Sequence, residues 1–128
     1  MIIGAGGAAR AAAIAAVSLG FSVTMANRSH ENCLAFVRHT TYAGKPLDVN
    51  VVEMKDAGMA VEKADVLIYA VPKPVARVMV CNLASRIVIE ANYLDPCLRA
   101  KTASEGGIYV SGEEWLRLQA EFGYKLFF

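Results

Sequence analysis

The stretch Gly4-Ala5-Gly6-Gly7-Ala8-Ala9 constrains this chain more than any other feature, because it follows the apolar residues Met1–Ile3 directly and opens an alanine-rich run that ends at Gly20. Gly4, Gly6 and Ala9 take the positions of the G-x-G-x-x-[GA] pattern. In that pattern the first glycine permits a tight turn, the second lets a pyrophosphate approach the backbone, and the third small residue keeps helix and strand close. A strand, this turn and a helix aiming its amino terminus at an anion make the opening unit of a dinucleotide-binding fold. Glycines also serve ordinary tight turns, so the reading depends on the rest of the chain.

Downstream of the turn, two kinds of segment alternate. Apolar, β-branched runs predict strands over Met1–Ile3, Ser22–Ala26, Val49–Val52, Val66–Ala70, Ile87–Ile89 and Ile108–Val110. They are continuous rather than strictly alternating, as strands covered on both faces require. Helices are predicted between them, over Ala8–Leu19, Glu31–His39, Asp56–Lys63, Val75–Leu83, Cys97–Ser104 and Glu113–Phe122. Gly20 closes the first, Ser29 precedes the second, Asp95-Pro96 opens the fifth, and Ser111-x-x-Glu114 reads as a capping box on the sixth. The fold class is therefore α/β, a doubly wound parallel sheet of Rossmann type, with one domain filling residues 1–128.

Composition removes other classes. A formal net charge of +1, with both signs interspersed, gives no electrostatic case for nucleic acid or an anionic membrane. Arg10 and four glycines interrupt the alanine-rich opening, so no apolar run reaches the ~18 residues of a membrane span. Cys33, Cys81 and Cys97 lack the spacing of a disulfide framework or a metal site and read as thiols in a reducing cytoplasm. His30 and His39 stand alone near helix ends and carry no catalytic assignment.

The end of the second strand bears on which dinucleotide fits. An NAD site usually places an acid there, about 20 residues after the glycine turn, to accept hydrogen bonds from the ribose. Here the strand runs into Asn27-Arg28-Ser29. Arg28 suits a 2′-phosphate with a charge-assisted planar contact, Asn27 can bond the ribose, and Ser29 offers a hydroxyl, which favours NADP. The same residues also read as a helix cap beside a solvated charge, and the two readings are compatible.

The run IGAGGAARAAA with NRS after it, then ADVLIYAVP, IVIEANYLDP and GGIYVSGEEWLRLQAEFGYKLF, resembles the NADP-binding domain of shikimate dehydrogenases over essentially the whole chain. The resemblance implies that Gly4, Ala5, Gly6, Gly7, Ala8 and Ala9 hold the phosphates and that Asn27, Arg28 and Ser29 clasp the adenosine 2′-phosphate. It also implies that Tyr93 and Gln119 reach the substrate. In that family an N-terminal domain carries the lysine and aspartate assigned to catalysis and precedes the glycine turn. The resemblance thus casts the chain as a C-terminal portion of a longer cytoplasmic enzyme of aromatic biosynthesis, with no catalytic residue of its own and no metal. In some bacteria such an enzyme is fused behind a dehydroquinate dehydratase.

Departures from the family pattern gather on the nicotinamide side. Tyr69 and Val71 stand in place of Asn and Thr, Pro74-Val75 in place of Gly-Met, Glu90 in place of Asp, and Pro96 falls one place late. Tyr69 and Tyr93 also fit an aromatic core at a strand end, and Gln119 fits a solvated helix face. A divergent nucleotide-binding module that turns over no substrate is the alternative. Hydrophobic residues at 55%, charged ones at 20%, and the tail GYKLFF predict an exposed apolar face and self-association.

Overall fold

The structure, a computed structural model, describes residues 1–127, and the side chains of all of these except Phe122, Gly123, Leu126 and Phe127. In chain order the elements are β1 (Ile2–Ile3), α1 (Gly7–Ser18), β2 (Val23–Ala26), α2 (His30–His39), β3 (Thr41–Tyr42), β4 (Lys45–Pro46) and β5 (Val49–Val51). After them come α3 (Ala57–Lys63), β6 (Val66–Tyr69), α4 (Ala76–Met79), β7 (Ile87–Glu90), α5 (Arg99–Glu105), β8 (Ile108–Val110) and α6 (Gly112–Phe127).

Six strands form one sheet in the order β5-β2-β1-β6-β7-β8, and every pairing in it is parallel. The chain winds outward from β1 through β2 to β5, then returns to lay β6 on the other side of β1. Ile2 is consequently in register with Met25 on one side and Ile68 on the other. This reversal is the topological switch of a doubly wound sheet, and the crevice at its carboxyl edge is where such folds place ligands.

Successive residues of each strand supply opposite layers. Ile3, Leu67, Tyr69 and Val88 pack with Val61, Val78 and Leu98 on one face, while Ile2, Met25 and Val23 pack with Ala9, Ala12, Ala13 and Phe36 on the other. Both faces are covered at β1 and largely so at β2, which explains why those strands read as unbroken apolar runs, while β6 and β7 alternate buried residues with less covered ones. On α1 the buried positions are Ala9, Ala12 and Ala13, so its contact face consists of methyl groups and the helix lies close to β1.

Four expectations are corrected. The helix expected over Val75–Leu83 shrinks to Ala76–Met79: Cys81 N–H turns back to Val78 O, and further on Leu83 N–H and Ala84 N–H bond to side chains, Glu105 Oε2 at 2.6 Å and Asn82 Oδ1 at 2.8 Å. The helix after β7 starts at Arg99 rather than Cys97, and its entry is held by Glu90 instead of Asp95. Ser29 occupies the N-cap position of α2 without a side-chain capping bond. The hairpin β3–β4 lies where no element was expected; Ala43 and Gly44 turn it with φ of 51° and 75°, both central residues being left-handed as a type I′ turn requires.

The last helix begins at Gly112 and runs on to Phe127, beyond the expected Phe122. The capping box is half formed: Ser111 Oγ accepts Glu114 N–H at 3.3 Å, while the Glu114 carboxylate turns outward to Arg117 at 2.5 Å. Of the apolar tail, the side chains of Leu126, Phe127 and Phe128 lie outside the described residues. No helix among the described residues is long and apolar enough to cross a membrane.

Candidate dinucleotide-binding site

The glycine turn sits at the carboxyl end of β1, at the switch point. Gly4 donates its N–H to Ala26 O at 2.8 Å and has φ of +119°, and a Cβ there would lie 2.8 Å from Ala70 O. Only glycine fits this position, since a side chain would meet both an unfavourable dihedral and the backbone after β6. Gly6 and Gly7 differ: both are exposed, and a Cβ on either would meet nothing within 4 Å. Their lack of side chains leaves open space above the turn. Ala5 and Ala9 are buried beneath it, and Ala8 is partly buried.

The first turn of α1 begins at the N-cap Gly6, with no side-chain cap and no acidic residue. Its leading amides are the orphan donors of a helix start, and the helix dipole adds positive potential there. Arg10 is the residue that pattern reading passed over. Its Nε donates to Ala5 O at 2.8 Å, and its guanidinium stands 5.4 Å over the Phe36 ring, so it ties the turn to α2. A cation in the first turn of a helix opposes the dipole, and that oddity was the signal for a structural task.

At the end of β2, Asn27 Nδ2 donates to Ser29 O at 3.1 Å and shapes the entry to α2. Arg28 is exposed, and no hydrogen bond or ion pair engages its guanidinium among the described residues. The His30 Nδ1 is buried and without a partner there.

The second half of the sheet carries a buried polar group at the end of each of two strands. Tyr69, fully buried, donates its hydroxyl to Lys73 O at 2.7 Å and accepts Val75 N–H at 2.8 Å. Burial pushes its phenol well above the ordinary range, with the neighbouring Cys97 adding to the shift. Glu90 is fully buried and accepts from Cys97 N–H at 2.7 Å, Leu98 N–H at 3.1 Å and the Tyr109 hydroxyl at 2.9 Å. Burial first, and Glu90 second, raise the Cys97 thiol to about 11.

These contacts separate the two tyrosines. Tyr69 is core, as one of its readings held. Tyr93 is 45% exposed on the loop after β7, whose turn is built by Asn92: Oδ1 accepts Leu94 N–H at 3.2 Å and Nδ2 donates to Asp95 O at 3.0 Å. Gln119 is exposed on α6. The start of that helix is fixed against the same loop, because a Cβ on Gly112 would meet the Ala91 carbonyl and lie 2.9 Å from Glu90 O.

A groove of about 610 Å³ lies elsewhere, near the amino ends of the strands, lined by residues including Met1, Ala12, Leu19, Phe21, Ile87 and Trp115. It is apolar and does not include the glycine turn, so the carboxyl edge, where that turn stands open, is the better site for a dinucleotide.

An open glycine turn at the switch point of a parallel sheet defines a Rossmann-type domain. More narrowly, the chain belongs to the family described as Alanine dehydrogenase/PNT, C-terminal domain, whose model matches residues 1–89. It is 29% identical over 131 residues to the shikimate dehydrogenase (NADP(+)) of Anaeromyxobacter dehalogenans (strain 2CP-1 / ATCC BAA-258), covering 98% of this chain and 47% of that protein. The resemblance drawn from the motifs therefore extends along the chain, which spans about half the length of the curated relative it matches.

Solved structures share the fold. Quinate dehydrogenase from Corynebacterium glutamicum in complex with NAD superimposes with a TM-score of 0.78 at 20% identity, over 88% of this chain and 43% of that one. Shikimate 5-dehydrogenase from Thermus thermophilus in complex with NADP(H) and shikimate gives 0.73 at 20% identity, over 98% of this chain and 47% of that one.

Proposed function

We propose that this chain is the cofactor-binding portion of an NADP-dependent shikimate dehydrogenase, acting with a substrate domain in a reducing cytoplasm. The observation that carries the reading is the turn at Gly4–Ala9: closed to side chains at Gly4, open above Gly6 and Gly7, and facing a helix start that no side chain caps. A pyrophosphate fits that cradle, because its oxygens can accept the leading amides of α1 while the missing Cβ atoms admit it to the backbone.

Each residue then has a binding or orienting task. Arg28, unpaired and exposed, meets a 2′-phosphate beside Asn27 and Ser29. Tyr93, exposed on the loop after β7, and Gln119, exposed on α6, are assigned to the nicotinamide and substrate by the family resemblance. The bound cofactor supplies the hydride exchanged with the ketone of 3-dehydroshikimate, and the protein supplies binding and alignment. Proton transfer at the substrate oxygen belongs to the substrate domain, so the isolated chain should bind NADP without turning over shikimate.

A second reading, a binding module without dehydrogenase chemistry, draws on Tyr69, whose hydroxyl donates to Lys73 O, accepts Val75 N–H and is buried out of a ligand's reach. Calorimetric titration with NADP and NAD, followed by an assay with shikimate, tests the proposal. NADP binding without turnover supports it. Binding of neither dinucleotide would overturn it, and turnover by the purified chain would refute the assignment of catalytic groups to another domain.

A further inference from the structure

The loops after β6 and β7 are each pinned by the side chain that ends the strand before them. Tyr69 reaches forward to take Lys73 O and Val75 N–H; Glu90 reaches forward to take the amides of Cys97 and Leu98. The two pins meet. Cys97, whose N–H is taken by Glu90, packs against the core cluster that holds Tyr69, and Asn92 Nδ2 donates across the gap to Pro72 O at 3.4 Å. Tyr109, from β8, closes the cluster by donating to Glu90.

Burying a carboxylate is costly unless its acceptor sites are used, and burying a phenol is costly unless its hydroxyl is. Glu90 and Tyr69, both without solvent exposure, meet that condition only while the loops keep their present course. Moving either loop strands a buried polar group, so the two loops are held as one wall. This wall borders the β6-β7-β8 half of the sheet, which in a doubly wound fold receives the second mononucleotide of the cofactor, and Tyr93 stands on it.

We propose that Tyr69 and Glu90 are coupled positioning residues that set residues 71–75 and 91–98 as a single wall and thereby fix Tyr93 against the nicotinamide end of the dinucleotide. The inference rests on the cofactor reading above. Neither residue touches the cofactor; both act through the loops. Glu90 extends the Asp of the resembled pattern by one methylene, whereas Tyr69 puts a phenol where that pattern has an amide.

The test compares NADP with 2′,5′-ADP, which keeps the adenosine and 2′-phosphate but lacks nicotinamide, on wild type, Tyr69→Phe, Glu90→Gln and the double variant. Wild type should bind NADP more tightly than 2′,5′-ADP. Each single substitution should cut that preference on the order of tenfold while leaving 2′,5′-ADP affinity in place, and the double variant should be no worse than the weaker single. A loss confined to stability would leave the preference ratio unmoved in Tyr69→Phe, the milder change, and would overturn the proposal. So would additive losses in the double variant, which would make the loops independent. Wild-type binding of 2′,5′-ADP and NADP with equal affinity would overturn this inference alone, whereas binding of neither would overturn the cofactor reading beneath it.

Discussion

Gly4 and Ala70 share one space: a Cβ on Gly4 would stand 2.8 Å from the Ala70 carbonyl oxygen. The ends of β1 and β6 are thus spaced by the absence of a side chain, and the two substitutions that look alike in the glycine turn should behave differently.

Gly4→Ala should cost about 2 kcal/mol or more of stability, since it combines a positive φ with a backbone clash. Gly6→Ala should leave stability within about 0.5 kcal/mol, because its Cβ meets nothing in the free protein, yet weaken NADP binding on the order of tenfold by filling the pyrophosphate's space. Urea unfolding and calorimetry on the two variants check this. Equal stability losses would sink the distinction.

Arg28→Ala should change cofactor preference without changing stability. The guanidinium is exposed and unpaired among the described residues, so its removal breaks no folded-state contact. A charge-assisted contact with a 2′-phosphate contributes ~1.5–3 kcal/mol, so NADP should bind roughly tenfold to a hundredfold tighter than NAD in wild type, and nearly equally in the variant. Lys45 on β4 carries a second exposed charge that would blunt the loss. Equal affinities in wild type would remove the NADP assignment.

Alkaline pH should destabilise the fold through Cys97. Burial raises its thiol from 9.0 to about 11. Between those values the unfolded chain has released the proton and the folded chain retains it. The unfolded state therefore binds fewer protons, and stability falls as pH rises through the window. Cys33 and Cys81 are raised by burial too and act in the same direction. Urea midpoints measured just below pH 9 and near pH 11 should decline, and a flat profile would contradict the burial of these thiols.

The strands were legible in the sequence because their residues are apolar on both faces, buried in β1 and nearly so in β2, and such runs leave little room for any other reading. The helix ends were less so. The entry to α5 is held by Glu90, a residue on another element, and no local rule connects an acid at the end of an apolar strand with amides at Cys97 and Leu98. The β3–β4 hairpin was hidden because Ala43 takes a positive φ, where an asparagine would have announced the turn. In the glycine turn the pattern pointed to Gly4, where a positive φ and the Ala70 carbonyl exclude a side chain, whereas Gly6 and Gly7 meet no steric demand from the chain itself. The role of Tyr69 was not legible, since its hydroxyl partners are backbone groups that any sequence supplies.

Concentration-dependent self-association should appear in the isolated chain. Leu19 is 74% exposed and Phe21 55% exposed, and both line the apolar groove at the amino ends of the strands. Paired substitution of Leu19 and Phe21 by lysine should shift light scattering toward monomer. A strict monomer in the unsubstituted chain at high concentration would count against the groove as the cause.

The position of β1 has a bearing on the order of assembly during folding. It is central in the sheet, yet its pairing with β6 joins Ile2 to Ile68, so closing the core requires a long stretch of chain to be brought home first. Loops of that span are entropically costly to close, and parallel sheets built from distant pairings form slowly. Until Val66–Tyr69 arrives, one edge of β1 stays open and apolar, a template for another molecule's strand. Refolding yield should therefore fall as protein concentration rises, with the vulnerable surface being a strand that later lies buried between β2 and β6.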